Sequence, residues 1–186
     1  MSYLLHYSTQ NELLLNNLLL FYKDSENIDM MLRIITGESK ISLRIVDWFV
    51  TNYAKKNYTL YDISNTTGIH RFKVYFDYKL KLKAYSKKRF DPFCRWERIS
   101  IPYKTDNSIE TTIGQLNFFK WAIENKVIDY ISDNYYDIEN DMNNRNSTSK
   151  RKNIHYVKSR KKREELSVSA TKSIKKEDIE IIVTFD

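Results

Sequence analysis

The chain has 186 residues, of which 41% are hydrophobic, and it carries a formal net charge of +7 at pH 7. This length and composition predict one folded domain with a substantial core, plus an extension. Three glycines and two prolines are too few for an all-β fold built on tight turns. We therefore expect a mainly α fold: a small helical domain with a few short strands and a basic C-terminal extension, with α+β as the alternative.

The N-terminal part of the chain has the apolar spacing of three helices. Thr9 and Glu12 form a capping-box pattern at the start of the first, whose broad apolar stripe indicates burial or docking on a partner. Polar residues interrupt this stretch too often for a signal peptide or a membrane span. The second helix should stop near Gly37, and Ser39 can cap the third. The predicted helices are residues 9–22, Ile28–Thr36 and Ser39–Lys55.

The centre of the chain fits both a strand and a helix. Residues 57–69 are polar and contain Gly68, so we predict a loop with at most a brief strand. Apolar and polar residues then alternate, which favours a strand over Phe72–Phe76. Lysine and leucine content favours a helix over Asp77–Arg89, which should end before Pro92.

The following region has one strand pattern and two helical patterns. A strand is predicted at Arg98–Tyr103. Thr112 and Gln115 form a capping box that opens a strong helix, and Asn125 interrupts it. A second helical segment is predicted over Lys126–Met142.

The composition changes after residue 142. Residues 143–153 contain no apolar side chain and are predicted to be a linker, and Lys150–Arg163 holds eight basic residues and no acid. The alternating pattern of Asp178–Phe185 predicts a terminal strand, which can pair with Arg98–Tyr103. The predicted division is a mainly helical domain over residues 1–142, a basic linker and tail over 143–163, and a C-terminal segment over 164–186.

The stretch from Arg71 to Ile99 concentrates the positive charge. It contains ten Lys or Arg against three acids, with aromatic residues interleaved. Such a stretch can hold phosphates by charge and stack bases on ring faces, or it can be an ordinary core with a solvated basic face. Lys87, Lys88 and Arg89 also suit a helix C-terminus without any ligand. The candidate phosphate contacts are Lys79, Lys83, Lys87, Lys88, Arg89, Arg95, Lys150, Arg151, Lys152, Arg160, Lys161, Lys162 and Arg163, and the candidate stacking residues are Tyr85 and Phe93.

No pattern in the sequence indicates catalysis, a cofactor or a metal. His6, His70 and His155 are scattered, and the single cysteine, Cys94, excludes an internal disulfide and is best explained as a buried thiol. The carboxylates between residues 129 and 141 have helical spacing, which favours a solvated acidic face over a cation site. We therefore expect a protein that is not an enzyme and holds no cofactor.

Four segments resemble one protein family. LRIVDWFVTNYAKKN, YKLKLKAYSKKRFDPFCR, ETTIGQLNFFKWAIENKVIDYI and KKREELSVSATKSIKKEDIEIIVTFD are similar to an uncharacterised family of giant nucleocytoplasmic large DNA viruses, mimivirus relatives in particular. The resemblance covers roughly residues 40–186. The resemblance implies a viral origin, but it implies no activity, cofactor or site residue.

These observations lead to one preferred function and two alternatives. The preferred function is non-enzymatic binding of DNA or RNA through the basic, aromatic centre and the basic tail. The first alternative is a virion structural or protein-interaction component that contacts a viral or host protein through its N-terminal apolar helix. The second is an accessory factor of viral transcription. We expect the protein in the host cytoplasm, at the viral factory, or in the virion.

Overall fold

The computed structural model describes residues 10–65, 68–103, 107–153 and 175–178. The helices are α1 (Gln10–Phe21), α2 (Ser25–Thr36), α3 (Leu43–Trp48), α4 (Ala54–Lys56), α5 (Val74–Arg89), α6 (Ile113–Glu124), α7 (Val127–Asp133) and α8 (Tyr135–Asn153). The strands are β1 (Leu60–Asn65), β2 (Gly68–Lys73), β3 (Arg98–Tyr103), β4 (Asn107–Thr112) and β5 (Lys175–Asp178). The predicted fold class, mainly helical with a few short strands, is confirmed.

Helix α6 is the centre of the core. Leu116, Phe118 and Phe119 are each 0% exposed, and most other side chains of the helix are buried as well. A helix that is buried nearly all round must be covered by other elements, and α1, α2, α5, α7 and β4 all contact it. Trp121 Nε1 donates to Asp77 Oδ1 at 2.6 Å, which fixes α5 against α6.

The strands form two small antiparallel sheets. β1 and β2 make a two-stranded hairpin in which Tyr61 faces Phe72, and their ring centroids lie 5.6 Å apart. The second sheet has the order β3–β4–β5. Among the described residues, no helix is long and apolar enough to cross a membrane.

The sequence analysis predicts a loop with a possible brief strand over residues 57–69, which include all of β1, and it did not predict the hairpin. Among Leu60–Ser64, whose burial is described, only Tyr61 and Ile63 point toward the core, which is too short an alternation to identify a strand. The strand predicted at Phe72–Phe76 is also misplaced, because β2 ends at Lys73 and α5 begins at Val74. Within that range the alternation is accidental, since Phe76 is 62% exposed on the helix.

The predicted helix over Ser39–Lys55 is shorter and less regular. Its cap is Ser42, whose Oγ accepts from Ile45 N, whereas Ser39 Oγ accepts from Ile41 N outside the helix. A π-helical segment, Phe49–Tyr53, separates α3 from α4. Most of the remaining helix predictions agree: α2 ends at Gly37 with φ 81°, Thr112 caps α6, and Asn125 interrupts the chain before α7. The one helix predicted over Lys126–Met142 is instead two, α7 and α8, because the chain breaks at Asn134, whose Nδ2 donates to Tyr130 O at 2.9 Å.

One C-terminal prediction needs correction, and another falls outside the described residues. Residues 143–153, predicted as a linker, continue α8 through Asn153. The segment contains no Gly or Pro, and extending an existing helix costs far less than starting one. The predicted terminal strand, Asp178–Phe185, shares only Asp178 with β5, which pairs with β4; residues 179–185 lie outside the described residues, so this strand and its pairing stay a prediction. The division of the chain at residue 142 stays a prediction.

Candidate nucleic-acid interface

The C-terminal end of α5 presents consecutive basic side chains. Lys87 and Lys88 are exposed and Arg89 is half-buried. Just before them Ser86 has φ 61° and ψ 168°, so the helix is kinked there. A non-glycine residue in this region of backbone space is strained, and such strain occurs preferentially at functional sites. Glu97, with φ 52°, is a second strained position on the other side of the same loop.

Phe90 anchors the loop that follows the helix. It is 1% exposed, and its ring centroid lies 5.4 Å from that of Phe118 and 5.5 Å from that of Trp121. Burying an aromatic ring of this size stabilises the fold substantially. The basic end of α5 is therefore tied directly to the core helix.

Polar side chains at the start of α6 hold the backbone of this loop. Thr112 and Gln115 are 0% exposed and Asn117 is 7% exposed, and each donates to a loop carbonyl. Buried polar groups that are satisfied in this way specify one backbone conformation. The bonds are Asn117 Nδ2 to Arg89 O (2.8 Å), Gln115 Nε2 to Pro92 O (3.3 Å) and Thr112 Oγ1 to Cys94 O (3.3 Å).

The same loop also lies very close to Gly114. A Cβ at Gly114 would stand 2.8 Å from Cys94 Cβ and 3.0 Å from Lys88 O, which no side chain would tolerate without movement. Asp91 N donates to Gly114 O at 3.2 Å. Cys94 itself is buried, with Sγ 3.5 Å from Lys88 O, in agreement with its interpretation as a structural thiol.

A cleft of about 490 Å³ opens between this loop, α5 and the α3–π segment. Lys87, Lys88 and Arg95 supply positive charge along it. Trp96 is 67% exposed and Phe93 is half-buried, so both rings are available at the cleft surface. Cations and accessible rings in one cleft are the arrangement that holds phosphates and stacks bases.

Two carboxyl groups line the same cleft. Burial, and next the nearby Asp91 charge, raise the pKa of Asp47 to about 6, while Lys87 opposes the shift. Burial also raises the pKa of Asp91, against the Phe93 N–H bond and Lys87. Asp91 Oδ1 accepts from Phe93 N at 2.8 Å, so this carboxyl also shapes the loop. The cleft therefore carries less net positive charge at neutral pH than its lysines alone would give.

The structure divides the residues that the sequence analysis grouped together. Lys87, Lys88, Arg95 and Phe93 meet at the cleft. The other two α5 lysines of the set, Lys79 and Lys83, lie on a different surface beside Phe76 and Leu80. Tyr85 packs against Phe90 with ring centroids 6.2 Å apart. The side chains of Lys150, Arg151 and Lys152 and the whole of Arg160, Lys161, Lys162 and Arg163 lie outside the described part of the structure, so their role stays a prediction.

The predicted site residues include only part of the cleft lining; Asp91, Trp96, Asp47 and Thr51 are among those that were missed. Trp96 follows Arg95 directly, and this Arg-Trp pair was the one available signal. Asp47 and Thr51 come from a helix far away in sequence, and no local pattern connects them to the loop. Within the described residues, no group of three His, Cys, Asp or Glu is arranged to hold a metal ion.

Comparison with known proteins identifies the family. The profile of a family of unknown function, DUF7197, matches residues 6–186. An uncharacterised protein of Acanthamoeba polyphaga mimivirus is 45% identical over 137 residues, which is 71% of this chain and 53% of the relative. The chain therefore spans about half the length of that relative. No solved structure matches the chain.

The chain belongs to this family of unknown function, and its resemblance to mimivirus proteins is confirmed. The match also includes most of the first forty residues, which the resemblance in the sequence did not cover. Two of the segments that carry the resemblance, KKRFDPFCR and ETTIGQLNFF, are the basic loop and the start of α6 that holds it.

Proposed function

We propose that this viral protein binds nucleic acid, without catalysing a reaction, at the cleft between the end of α5 and the loop that follows it. The observation that carries the proposal is the convergence of Lys87, Lys88 and Arg95 with the exposed ring of Trp96. An indole face that is accessible to solvent can stack on an unpaired base, so single strands are the favoured ligand. The basic tail supports the proposal as a second positive element in the sequence.

The fixed backbone of the loop favours a binding role over simple solubility. A basic helix end stays soluble without any fixed backbone. Here, however, three hydrogen bonds from buried side chains at the start of α6 hold the backbone carbonyls of Arg89, Pro92 and Cys94, and we call these three bonds the loop clamp. Holding the cations in place before the ligand arrives lowers the entropic cost of binding. No general acid, base or nucleophile is required for this role.

A salt titration on labelled single-stranded and duplex oligonucleotides tests the proposal. Each phosphate neutralised on a single strand contributes about −0.7 to the slope of log affinity against log salt. Changing Lys87 and Lys88 to Gln should therefore flatten the slope by about 1.4 and weaken binding to all sequences alike. Trp96→Ala should weaken single-strand binding by about 1–3 kcal/mol and leave duplex binding nearly unchanged. A double Lys23→Gln and Lys126→Gln variant, which removes two exposed charges elsewhere, is the matched control.

A protein-interaction role has its own supporting observation. On α1, Leu13 is 54% exposed and Leu20 is 61% exposed, seven residues apart along the helix. Two leucines two turns apart form an apolar stripe that a partner helix could cover. If this role is the main one, changing both leucines to Gln should release a partner captured from infected cells, while the Lys87 and Lys88 variant should retain it.

A further inference from the structure

A second surface of the protein is both apolar and basic; it borders the cleft at Leu82 and extends away from it along α5. We call it the Phe76 surface and define it by four exposed side chains. Tyr58 lies in the turn after α4, Leu60 begins β1, and Phe76 and Leu80 stand one turn apart on α5. They are 78%, 47%, 62% and 65% exposed, respectively.

The Phe76 surface is concave and continuous. A cleft of about 400 Å³ lies between the α4 turn, the start of the hairpin and α5, and its lining includes Leu60, Tyr75 and Phe76. A shallower depression of about 430 Å³ lies along α5 beside Phe76, Leu80 and Leu82. Phe76 contributes to both, so the two depressions share a wall and can receive adjacent side chains of one ligand.

The packing of α5 on the core does not require the exposed apolar side chains of the Phe76 surface. The opposite side of α5 provides the core contacts, since Val74 is 0% exposed and Tyr78 is 8% exposed. Phe76 and Leu80 could be polar without loss of those contacts. A group of exposed large apolar residues around a depression is typical of a surface that contacts another molecule.

The rim of the Phe76 surface is uniformly positive. Lys55 and Lys73 line the first depression, and Lys79 and Lys83 line the second, while neither lining contains an acid. Within the part of the chain that the structure describes, none of these four lysines forms a salt bridge. Lys55 Nζ lies 5.7 Å from the centroid of the Tyr75 ring. The charges of Lys73, Lys79 and Lys83 are available to a ligand.

We infer that the Phe76 surface docks an acidic segment of a partner protein, in which leucine or aromatic side chains alternate with Asp or Glu. The apolar depressions fit the hydrophobic side chains, and the four lysines complement the carboxylates. Tyr58 and Phe76 have ring faces on which bases can stack, as at the cleft. Leu60 and Leu80, however, supply apolar contact that suits a peptide side chain and offer a base no ring to stack on, so the acidic peptide is the better fit. A partner that binds here must therefore supply both apolar side chains and negative charge.

The inference is tested with the full chain and a panel of short fluorescent peptides that alternate Leu or Phe with Glu at different spacings. Leu80→Ala should weaken the best peptide roughly tenfold, as expected for an apolar contact at the centre of an interface. The matched control is Leu20→Ala, a leucine of similar exposure on α1, which should have no effect. Changing Lys79 and Lys83 to Gln should also weaken binding, and added salt should weaken it in the parent protein.

Three results would overturn the inference. One is a complete failure of the panel to bind. Another is equal binding of a peptide in which Ser replaces every apolar residue, since that would reduce the contact to charge alone. The third is displacement of the peptide by an oligonucleotide whose own binding depends on Lys79 and Lys83 and not on Lys87 and Lys88, because the Phe76 surface would then be a nucleic-acid site.

Discussion

The middle and the C-terminal end of α5 carry similar charge in very different surroundings. In the middle of the helix, Lys79 and Lys83 border exposed apolar side chains in a depression whose lining contains no acid. At its end, Lys87 and Lys88 border a cleft that contains two carboxyl groups and a loop held by buried polar side chains. In the sequence these lysines form one basic patch, yet helix geometry and the kink at Ser86 place them on two surfaces of different chemistry.

The two regions should differ most in the free energy of unfolding that is lost when a phenylalanine is removed from each. Phe90 is 1% exposed and Phe76 is 62% exposed. Phe90→Ala should lower the free energy of unfolding by about 3–5 kcal/mol, as for other buried rings. Phe76→Ala should change it by about 0.5 kcal/mol or less. Urea denaturation of the two variants measures both values, and equal losses would mean that Phe76 belongs to the core.

The next effect concerns Asp47, whose pKa is raised to about 6. A raised carboxyl pKa means that the folded state binds the proton more tightly, so stability should fall as pH rises from about 4 to about 6. The loss is at most about 3 kcal/mol, reduced by any solvent access to the cleft. Asp47→Asn should remove the Asp47 part of this pH dependence, leaving only the part from Asp91, raise stability at pH 7 and strengthen nucleic-acid binding there. A parent protein whose unfolding free energy is flat between pH 4 and 6 would contradict the assignment.

Removing a hydrogen bond of the loop clamp should have a smaller effect on stability, and it should also lower the affinity for oligonucleotides. Gln115→Ala leaves Pro92 O without its donor, and Asn117→Ala does the same to Arg89 O. Each should cost about 1–3 kcal/mol of stability. At temperatures where both variants remain folded, oligonucleotide affinity should fall while peptide binding at the Phe76 surface is unchanged. Equal loss of both activities would indicate general destabilisation and not a local clamp.

The kink gives the smallest effect, with the opposite sign. Ser86 has φ 61° and ψ 168°, a conformation that glycine adopts without strain. Ser86→Gly should therefore raise the free energy of unfolding by roughly 1 kcal/mol. In a regular helix the same change would lower it by roughly 1 kcal/mol. The sign of the change in a denaturation curve thus reports directly on the kink.

Local patterns in the sequence predicted much of the fold. The periodicity of α2 and α6, the Gly37 stop and the Thr112 cap depend on residues a few positions apart, and these predictions are confirmed. The hairpin was missed because part of its support is distant: Tyr61 OH donates to Asn125 O, sixty-four positions away. Its own strands carry too little apolar alternation to identify it.

The candidate site was predicted in part for a related reason. Its charges and Phe93 are visible in the sequence because they are consecutive or nearly so. The loop clamp depends on pairs such as Gln115 with Pro92, and the carboxyl group of Asp47 reaches the cleft from another helix. Gln115 was predicted to complete a reciprocal capping box, yet its side chain instead bonds Pro92 O and Thr111 Oγ1. Which long-range partner a polar side chain chooses is decided by packing, and no spacing in the sequence encodes it.

The central claim is that the α5 lysines form two surfaces, and a paired salt titration tests it most directly. Oligonucleotide affinity is measured against salt for the parent chain, for Lys87 and Lys88 changed to Gln, and for Lys79 and Lys83 changed to Gln. The account predicts that the first pair flattens the single-strand slope by about 1.4 and that the second pair leaves it unchanged. Equal flattening by both pairs would contradict it and restore a single continuous basic patch.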